Sequence, residues 1–561
     1  MRKIVLASVF AVMLVVPAGA EHLPARGSHG AVASAEVHAT QAGIDVLKAG
    51  GNAVDAAVAV GFALAVTHSS AGNIGGGGFM LVRQADGKSY FVDFREEAPG
   101  KATTTMYQDA QGNIVKGRST VGMLASGIPG TVAGLTSAQQ RLGKLTLAQD
   151  MAPAIRLAAD GFPLDTQEAG GFRRARNLAQ FPDSRRVFQR DGQFYEVGEI
   201  FKQPELAATL KLIASDGGDA FYKGRIAHDL AAFEAANGGL ITLDDLAHYQ
   251  AKWREPLAAS YHGYDILTSP PPSSGGVAIV EMLNMLEHSN FVQAGMDSAA
   301  ALHDEIEAQR RAMADRAVYL ADPDFVKVPV ATLISPEYAK ERWASVKPDA
   351  ASSSKEVGAG PVPGWESTET THFSVVDEAG NAVAVTYTLN FGYGSGVTAG
   401  HLGFLLNDEM DDFTSKPGAP NGFNLIQGKA NDIQPYKRPL SSMVPTIVSR
   451  DGKLALVLGS PGGPRIITSV FEVLTGVLDF GLDVQQAVDA PRFHQQWMPE
   501  EVYLEGPSRF SPDTLKLLEK MGYPLKVGGA WCDVEAIQID SKTGMRMAAT
   551  DPRADGAAIA Y

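Results

Sequence analysis

Two threonines lie where a predicted β-hairpin would bring them together. The runs "HFSVVD" and "NAVAVTYTLN" are rich in β-forming residues and are separated by Glu378–Ala379–Gly380, and a three-residue loop that ends in glycine is a common hairpin connection. If Asp377 pairs with Asn381, Thr370 lies opposite Thr388. Directly opposed residues have Cβ atoms about 5 Å apart, so the two hydroxyl groups could form a hydrogen bond.

Thr370 follows a tract that is unlike the hairpin. From Lys347 to Thr368 the chain is rich in Ser, Ala, Gly and Pro without hydrophobic periodicity, which predicts a loop or a disordered segment. Attack of the Thr370 hydroxyl on the Glu369 carbonyl would cut the chain and leave Thr370 with a free α-amine. Such a threonine carries its own general base, because an α-amine with a pKa of about 8 can take the hydroxyl proton near neutral pH. The alternative interpretation is a Thr–Thr pair that only stabilises the hairpin.

Four other side chains could take part in catalysis. His372 shares the predicted hairpin face with Thr370, and His401 and His494 lie further along the chain. A lone histidine is more often structural, and the α-amine of Thr370 already supplies a base. Cys532 is the single cysteine, so the chain has no internal disulfide; its setting in "GGAWCDVEAI" predicts a small buried apolar side chain rather than a catalytic thiol.

The elements that must position the hairpin come in blocks. Helices come first, then strands, then both, which favours an α/β (α+β) sandwich of layers over a βαβ repeat. The predicted elements are two helices within Ser34–His68 that break at Gly50–Gly51, strands Phe79–Arg83 and Tyr90–Phe94, a helical region to about Asp322 that includes Ser298–Tyr319 and a helix opened by "PPPSSGG", and, after Thr370, strands at "LALVLGS" and "MRMAAT" with helices near Ile467–Phe480 and Pro512–Met521.

The composition is that of an ordinary globular protein. The 561 residues are 45% hydrophobic and 20% charged, with a formal net charge of −15, which argues against non-specific binding to nucleic acid or anionic lipid. At the N-terminus, Arg2 and Lys3 precede the apolar run Ile4–Val16 and the small residues Ala18–Ala20. This order predicts an export signal over residues 1–20, because the run is too short to span a bilayer. No later segment is long and apolar enough to span one, so a periplasmic or secreted protein is expected.

The hairpin and nine other segments resemble the γ-glutamyltransferase (γ-glutamyltranspeptidase) family of N-terminal nucleophile hydrolases. "TTHFSVVD" is similar to the start of the family's mature small subunit. The other segments follow in the family's order between Gly50 and Trp497: "GGNAVDAAVA", "GNIGGGGFML", "VDFREEAP", "GIPGTVAG", "PPPSSGG", "LLNDEMDDF", "KRPLSSMVPTIV", "GSPGGPRIIT" and "APRFHQQW". The resemblance implies a four-layer αββα sandwich made as one precursor. The precursor would cut itself into a large subunit, residues 21–369, and a small subunit, residues 370–561, which form a heterodimer.

The resemblance also implies an activity. The enzyme would remove the γ-glutamyl group from glutathione and related compounds through a threonine acyl-enzyme and pass it to water or to the amine of an amino acid or peptide. Thr370 would be the nucleophile and Thr388 its hydrogen-bond partner, with cleavage between Glu369 and Thr370. Gly462 and Gly463 would offer backbone N–H groups as an oxyanion hole. No cofactor and no metal ion are expected.

Three residues would bind the substrate α-carboxylate by this resemblance. The planar guanidinium of Arg95 suits a carboxylate, and the hydroxyl groups of Ser441 and Ser442 would donate further hydrogen bonds to it. Without the resemblance, Arg95 could equally form a surface ion pair with Glu96 or Glu97, and the serines could form an ordinary polar turn.

Three more residues would contact the amino-acid end of the substrate. Glu409 and Asp412 would bind its α-ammonium group, and Asn390 would contact its α-carboxylate or α-amine region. An acidic cluster is more often a solvated face or a cation site. In acylases related to the family, the position of Asp412 can hold another residue, so its presence here favours an amino-acid head group.

The segment Lys416–Asn431 resembles the lid loop that some members of the family possess. Phe423 stands where lidded bacterial relatives often have tyrosine. An aromatic wedge is therefore expected in the lid, without a tyrosine hydroxyl.

Two alternatives to a γ-glutamyltransferase remain open at the level of sequence. One is a glutaryl-type acylase of the same fold, which would cleave a glutaryl amide at least as well as a γ-glutamyl amide. The other is an uncut protein that captures γ-glutamyl compounds without turnover.

Overall fold

A computed structural model describes residues 22–357, 370–506 and 508–561 of the chain. The expected export signal, Met1–Ala20, and the expected cleavage residue Glu369 lie outside the described residues.

The strands of the described chain are mostly short. In chain order they are β1 (Ala25–Gly27), β2 (Ala31–Ser34), β3 (Gly77–Arg83), β4 (Ser89–Phe94), β5 (Phe162–Pro163), β6 (Gln189–Arg190), β7 (Gln193–Phe194), β8 (Ile200–Phe201), β9 (Lys252–Arg254), β10 (Leu257–Tyr261), β11 (Tyr264–Thr268), β12 (Thr371–Val376), β13 (Ala382–Thr388), β14 (Thr446–Arg450), β15 (Lys453–Gly459), β16 (Phe493–His494), β17 (Val502–Glu505), β18 (Leu525–Gly528), β19 (Glu535–Ile539), β20 (Arg546–Ala549) and β21 (Ala557–Ala560).

The α-helices fall mainly before the strands of the C-terminal part. In chain order they are α1 (Val37–Lys48), α2 (Ala53–Thr67), α3 (Thr131–Leu142), α4 (Leu147–Asp160), α5 (Thr166–Arg174), α6 (Pro182–Phe188), α7 (Pro204–Asp216), α8 (Gly218–Tyr222), α9 (Arg225–Asn237), α10 (Leu243–His248), α11 (Gly275–Leu286), α12 (Phe291–Ala294), α13 (Ala299–Tyr319), α14 (Val330–Leu333), α15 (Pro336–Trp343), α16 (Ser354–Val357), α17 (Arg465–Leu478), α18 (Val484–Asp489) and α19 (Pro512–Met521).

Two seven-stranded sheets stack face to face between layers of helices. Sheet 1 has the order β21-β2-β12-β13-β3-β4-β9, and sheet 2 has the order β1-β20-β19-β15-β14-β11-β10. Helices α1, α2 and α3 pack on sheet 1, while α11, α17 and α18 pack on sheet 2, and β12 and β13 contact β15 and β19 across the interface. The predicted α/β (α+β) αββα sandwich is confirmed.

The first two helices have the boundaries that the sequence predicts. Asn52 and Asp55 form a capping box that starts α2, which satisfies backbone donors that the helix itself cannot. Every residue of α2 is buried, as expected for a helix that is apolar on all sides. The helix lies against the back of the central hairpin in sheet 1, where the hydroxyl of Tyr387 donates to the Gly61 carbonyl (2.9 Å).

The central hairpin of sheet 1 has the predicted register. Thr371 lies opposite Tyr387, and Gly380, with φ +88°, closes the three-residue loop. The same register, continued by one residue, sets Thr370 opposite Thr388. Because both strands are interior strands of a stacked sheet, the two threonines lie within the protein and not at its surface.

The prediction of a helical region up to about Asp322 was wrong over residues 252–268. Strands β10 and β11 form a hairpin there, paired from Leu257–Thr268 to Tyr261–Tyr264. Its turn residues, His262 and Gly263, both have positive φ (46° and 81°), the pattern of the tight turns that suit a hairpin's twist. The hairpin is short and lacks the usual Asn-Gly signal, so it was missed.

The same prediction was wrong over residues 96–130, where the chain forms turns, loops and one short 3-10 helix, and the two-residue strands β5 to β8 interrupt the helices between residues 162 and 201. The remaining element predictions hold. Helix α13 starts directly after its N-cap Ser298 and ends at Tyr319, and "PPPSSGG" leads into α11. Within the predicted loop from Lys347 to Thr368, the described part contains one short helix, α16. No helix among the described residues is long and apolar enough to cross a membrane.

Candidate active site

Thr370 and Thr388 line one small cavity together with residues of the loops that follow β4 and β13 and precede β14. The cavity has a volume of about 20 Å³, room for about one water molecule. Both threonines are buried, and the Thr388 hydroxyl oxygen accepts a hydrogen bond from the Asn390 N–H (2.8 Å). The lining residues are Arg95, Thr370, Thr388, Asn390, Glu409, Asp412, Phe423, Leu425, Ser441, Ser442, Met443, Gly463, Pro464 and Ile466.

The structure therefore brings nearly all the sequence-predicted site residues into one cavity. They come from distant parts of the chain: Arg95 follows β4, Asn390 follows β13, and Ser441 and Ser442 precede β14. Gly463 lies two residues before the start of α17 and lines the cavity. Gly462, the preceding residue, packs against Cys532.

Arg95 forms the electrostatic centre of the cavity. Its guanidinium donates to the carboxylates of Glu409 and, at 2.5 Å, of Asp412, and Glu96 lies 3.6 Å away. Burial alone would lower the pKa of Arg95, but the surrounding carboxylates outweigh it and hold that pKa above its ordinary value. Arg95 is thus a permanent cation, and the alternative of a surface ion pair with Glu96 or Glu97 is wrong because the side chain is fully buried.

The carboxyl groups around Arg95 are crowded in a buried site. Burial raises the pKa of Glu409, Asp412 and Glu96, that of Glu96 to about 7, and the Arg95 charge opposes the shift in each case. In a buried site, several carboxyl groups that share one cation favour a state in which the total charge of the group is close to zero. A ligand with its own cationic group would therefore be stabilised here.

Ser441 is held by the segment that connects β11 to α11. The carbonyl of Ser441 accepts from the N–H and the hydroxyl of Ser274 (2.8 and 2.6 Å), and the Ser441 N–H donates to the Pro272 carbonyl (2.9 Å). The sequence segments "PPPSSGG" and "RPLSSM" thus meet in space, and the first holds the second in place against the cavity.

Arg316 is a buried residue of the site that the sequence did not reveal. It lies in α13 and donates to the hydroxyl groups of Ser274 (2.8 Å) and Ser442 (3.1 Å). Burial lowers its pKa to about 10, partly offset by Asp412, so it remains a cation at neutral pH. Nothing in the polar composition of α13 distinguishes Arg316 from its neighbouring arginines, so sequence alone offers no signal for it.

Gly462 and Gly463 adopt a backbone shape that other residues cannot easily take. Their φ angles are +124° and +57°. A Cβ on Gly462 would lie 2.2 Å from the Cys532 Sγ, and a Cβ on Gly463 would lie 2.7 Å from the Phe423 ring. Both positions therefore require glycine, for space as well as conformation. Burial raises the pKa of the Cys532 thiol to about 11, which agrees with a structural role.

Two residues of the predicted lid segment, Lys416–Asn431, line the cavity: Phe423 and Leu425. Phe423 is buried and its ring stacks on Phe391, with centroids 4.6 Å apart. The Asn421 side chain donates to Asp412 at 3.3 Å. Phe423 thus forms the aromatic wedge that the family resemblance implies for this segment.

Asp411 holds this lid to the body of the protein. Its two carboxylate oxygens accept from the Ser119 hydroxyl (2.6 Å) and from the Gly422 N–H in the lid (2.7 Å). Burial raises its pKa to about 6. Nothing in the sequence distinguishes Asp411 from the other acidic residues of "NDEMDDF".

The three candidate histidines are structural. His372 is buried in hydrogen-bond contact with Thr386 (2.8 Å) and Ser374 (3.1 Å), and burial lowers its pKa to about 3. Burial lowers the pKa of His494 to about 3 as well, while His401 is exposed beside Glu205. Within the described residues, no group of three or more His, Cys, Asp or Glu side chains has a geometry that could hold a metal ion.

An αββα sandwich with a threonine at the start of a central strand, lining a small polar cavity, defines the class of N-terminal nucleophile hydrolases. Comparison with known proteins identifies the branch within that class. Residues 39–561 match the family described as gamma-glutamyltranspeptidase, and the chain belongs to this family. The predicted resemblance is thereby confirmed, and with it the prediction of an enzyme of the γ-glutamyl transferase and hydrolase type.

Individual relatives agree with this assignment. The chain is 48% identical over 532 residues to the glutathione hydrolase proenzyme of Escherichia coli (strain K12), a match that covers 94% of this chain and 91% of that protein. It is 41% identical over 485 residues to the acylase ACY 1 proenzyme of Pseudomonas sp. (strain SE83), covering 84% and 83%. The crystal structure of cephalosporin acylase from Bacillus halodurans superposes with a TM-score of 0.86 at 28% identity, covering 99% of each chain.

Proposed function

We propose that the protein is a self-processing γ-glutamyltransferase and glutathione hydrolase with Thr370 as its nucleophile. The main observation in support is that Thr370 lines the same buried cavity as a permanent cation, Arg95, and the carboxyl groups of Glu409 and Asp412. A free α-amino acid head group carries the complementary pair of charges. The family assignment and the 48% identity to a glutathione hydrolase proenzyme support the same conclusion.

Recognition of the γ-glutamyl group follows from this charge distribution. Arg95, with the hydroxyl groups of Ser441 and Ser442, binds the substrate α-carboxylate through charge-assisted hydrogen bonds. Glu409 and Asp412 bind the α-ammonium group. Asn390 lines the same cavity and donates to the Asp408 carbonyl (3.0 Å), so its side-chain oxygen is oriented towards the head group.

In the acylation step, the free α-amine of Thr370 takes the proton from the Thr370 hydroxyl. The hydroxyl oxygen then attacks the γ-carbonyl carbon, and the N–H groups of Gly462 and Gly463 stabilise the resulting oxyanion. Thr388 hydrogen-bonds the nucleophile and sets its orientation. The amine gives its proton to the leaving nitrogen, the C–N bond breaks, and a glutamyl ester of Thr370 remains.

In the second step, water or an acceptor amine attacks the ester carbonyl. The Thr370 amine takes a proton from the attacking group and returns it to the Thr370 oxygen as the ester bond breaks. Water yields glutamate, and an amine yields a new γ-glutamyl amide. Because the same residues serve both steps, the choice between hydrolysis and transfer depends on which acceptor reaches the ester.

Maturation would use the same nucleophile. The Thr370 oxygen attacks the Glu369 carbonyl, the C–N bond breaks to leave an ester, and water releases the two chains. The cut would separate a large subunit, residues 21–369, from a small subunit, residues 370–561. Strands on either side of the cut pair with each other, as β2 does with β12 and β3 with β13, so a heterodimer would stay together.

Residues 1–20 have the order of a cleavable export signal. We propose a periplasmic or secreted location on that basis.

A glutaryl-type acylase is the second candidate, favoured by the 41% identity to an acylase proenzyme and by the acylase crystal structure. A glutaryl group lacks the α-ammonium that Glu409 and Asp412 would bind. Leaving two buried carboxyl groups without a cationic ligand has a free-energy cost. The γ-glutamyl amide should therefore be cleaved faster than the matched glutaryl amide.

The test is N-terminal sequencing with intact mass, followed by assays on γ-glutamyl and glutaryl amides that share one leaving group. We expect two chains, one of which begins at Thr370, and preference for the γ-glutamyl amide. Thr370→Ala should remain one chain, and Thr370→Ser, which keeps the hydroxyl, should still be cut. A wild-type chain that stays uncut and binds glutathione without turnover would overturn the proposal in favour of a binding protein. Preference for the glutaryl amide would overturn it in favour of the acylase.

A further inference from the structure

A second, much larger cavity borders the catalytic one. It has a volume of about 650 Å³ and is called here the outer cleft. Phe391 forms the boundary, because it lines the outer cleft and its ring stacks on Phe423, which lines the catalytic cavity. The lining residues are Ser70, Thr120, Val121, Gln167, Glu168, Gly171, Arg174, Ala175, Asn177, Phe391, Gly392, Tyr393, Gly394 and Asp408.

Arg174 supplies the positive charge of the outer cleft. It is the last residue of α5 and its side chain is exposed. Among the described residues that line the cleft it is the one cation, and no described carboxylate lies within ion-pair distance of it. Its neighbour Arg173 differs, since it is paired with Glu196 and donates to the Tyr195 carbonyl (3.2 Å).

Two carboxyl groups, those of Glu168 and Asp408, also line the outer cleft. Glu168 accepts from His68 (3.1 Å) through one oxygen, and Asp408 accepts from the Phe391 N–H (3.0 Å) through one oxygen. The second oxygen of each is buried and has no hydrogen-bond partner among the described residues. Neither carboxyl group lies within ion-pair distance of Arg174, so the carboxylate of a ligand in the cleft would give Arg174 the partner that the lining residues do not supply.

We propose that the outer cleft binds the non-glutamyl part of the substrate, and that Arg174 binds its terminal carboxylate. The inference rests on the proposed function, because the ligand is the amino acid or peptide that leaves or accepts the γ-glutamyl group. Two residues of extended peptide span about 7 Å, so a dipeptide attached at the scissile bond could pass Phe391 and reach into the cleft. Arg174 is thus a specificity-determining residue for donors and acceptors that end in a free carboxylate.

The experiment compares two donors that differ only at that carboxylate. The donors are glutathione and glutathione whose terminal carboxylate is a primary amide. We expect wild-type kcat/KM to favour glutathione about five- to tenfold, the range of a partly exposed charge-assisted hydrogen bond. In Arg174→Ala this preference should fall to about twofold or less, and Arg174→Lys should retain part of it.

Arg173→Ala is the matched control, because it removes the adjacent guanidinium that already has a partner. It should keep the wild-type preference. Melting temperatures of all variants would show that the exposed substitutions leave the fold intact. The inference would be overturned, and the proposed function left in place, if Arg174→Ala kept the full preference for glutathione. The same would follow if Arg174→Ala lowered kcat/KM equally for both donors. A wild-type enzyme that cleaves neither donor would instead overturn the proposed function, and this inference with it.

Discussion

Arg95 and Glu409 form a buried ion pair in the wall of the cavity that Thr370 and Thr388 line. The proposed function assigns these two residues to opposite ends of one substrate head group. A zwitterionic amino acid would thus exchange an internal ion pair for two pairs with the ligand. The desolvation cost of the charges is already met in the folded protein, so binding need not bury them anew. A ligand with only one of the two charges would leave its counterpart uncompensated.

Arg95→Lys tests that arrangement. Lysine keeps the charge but cannot donate to two carboxylates through a planar fork. We expect the KM for a γ-glutamyl amide to rise about 10- to 100-fold, with a smaller fall in kcat, because the loss concerns head-group binding. Steady-state kinetics of the variant measure both constants.

Arg254→Lys is the matched control for this change. Arg254 also bridges two carboxylates, Asp93 (2.7 Å) and Asp324 (2.8 Å), but it does not line the catalytic cavity. It should keep the wild-type KM. If both variants raise KM alike, the effect of Arg95→Lys would be structural and its role in head-group binding would be excluded.

Thr388→Val removes one hydroxyl from the threonine pair and keeps the side-chain shape. Loss of the hydrogen bond that orients the nucleophile should lower kcat about 10- to 100-fold and slow the cut before Thr370. Thr386→Val is the control, since Thr386 lies on the same strand face and its hydroxyl contacts His372. That change should cost about 1 kcal/mol of stability and leave kcat within about twofold. Equal kcat losses would show that the pair is merely stabilising.

The Asp411 carboxylate predicts a pH effect on stability. Its pKa is raised from 3.8 to about 6 by burial, so the folded protein holds this proton more tightly than the unfolded chain does. Its contribution to stability is therefore largest below about pH 4 and declines as pH rises to about 6. The decline is of the order of 3 kcal/mol at most.

Asp411→Asn removes this titration. The melting temperature of the variant, relative to wild type, should rise as pH increases from 4 to 7. The nearby groups Asp408, Asp412 and Tyr107 are present in both proteins. Their contributions therefore largely cancel in the difference between the two melting temperatures. Asp86→Asn, at an exposed carboxylate whose pKa Lys88 lowers, should show no such rise. A flat difference for Asp411→Asn would contradict the raised pKa.

The sequence predicted the hairpin register and the main helices because these depend on local patterns. The three-residue loop around Gly380 and the alternation after Thr370 set the pairing of the two strands. The all-apolar composition of Ala53–Thr67 predicted a buried helix in the same way. The β10–β11 hairpin was missed because its turn residues, His262 and Gly263, adopt the positive φ angles of a tight hairpin turn without the Asn-Gly or Asp-Gly sequence that usually marks one.

Much of the site could be named from sequence only through family resemblance. The cavity joins Arg95 to Glu409 and Ser441, which lie more than 300 positions further along the chain, and no periodicity links them. Arg316 and Asp411 were missed because their importance depends on which buried partner they meet, Ser442 in one case and the lid residue Gly422 in the other. Such partners are fixed by the packing of sheets and loops, which composition does not determine.

Gly463→Ala tests whether the position of the Gly463 N–H group matters for catalysis. The φ of +57° makes alanine unfavourable by about 1–2 kcal/mol, and its Cβ would lie 2.7 Å from the Phe423 ring. To relieve this contact the peptide must shift, which moves the donating N–H group. We expect kcat to fall about 10²- to 10³-fold, the usual loss of one oxyanion donor.

Two further variants separate the causes of this loss. Gly481→Ala is the backbone control: its φ is +68° and no atom lies within 4 Å of an added Cβ. It should lose similar conformational stability and keep wild-type kcat. Combining Gly463→Ala with Phe423→Ala removes the steric contact, so melting temperature should partly recover. If kcat also recovered fully, the loss would have come from the lid, because a displaced N–H donor is not restored by space alone.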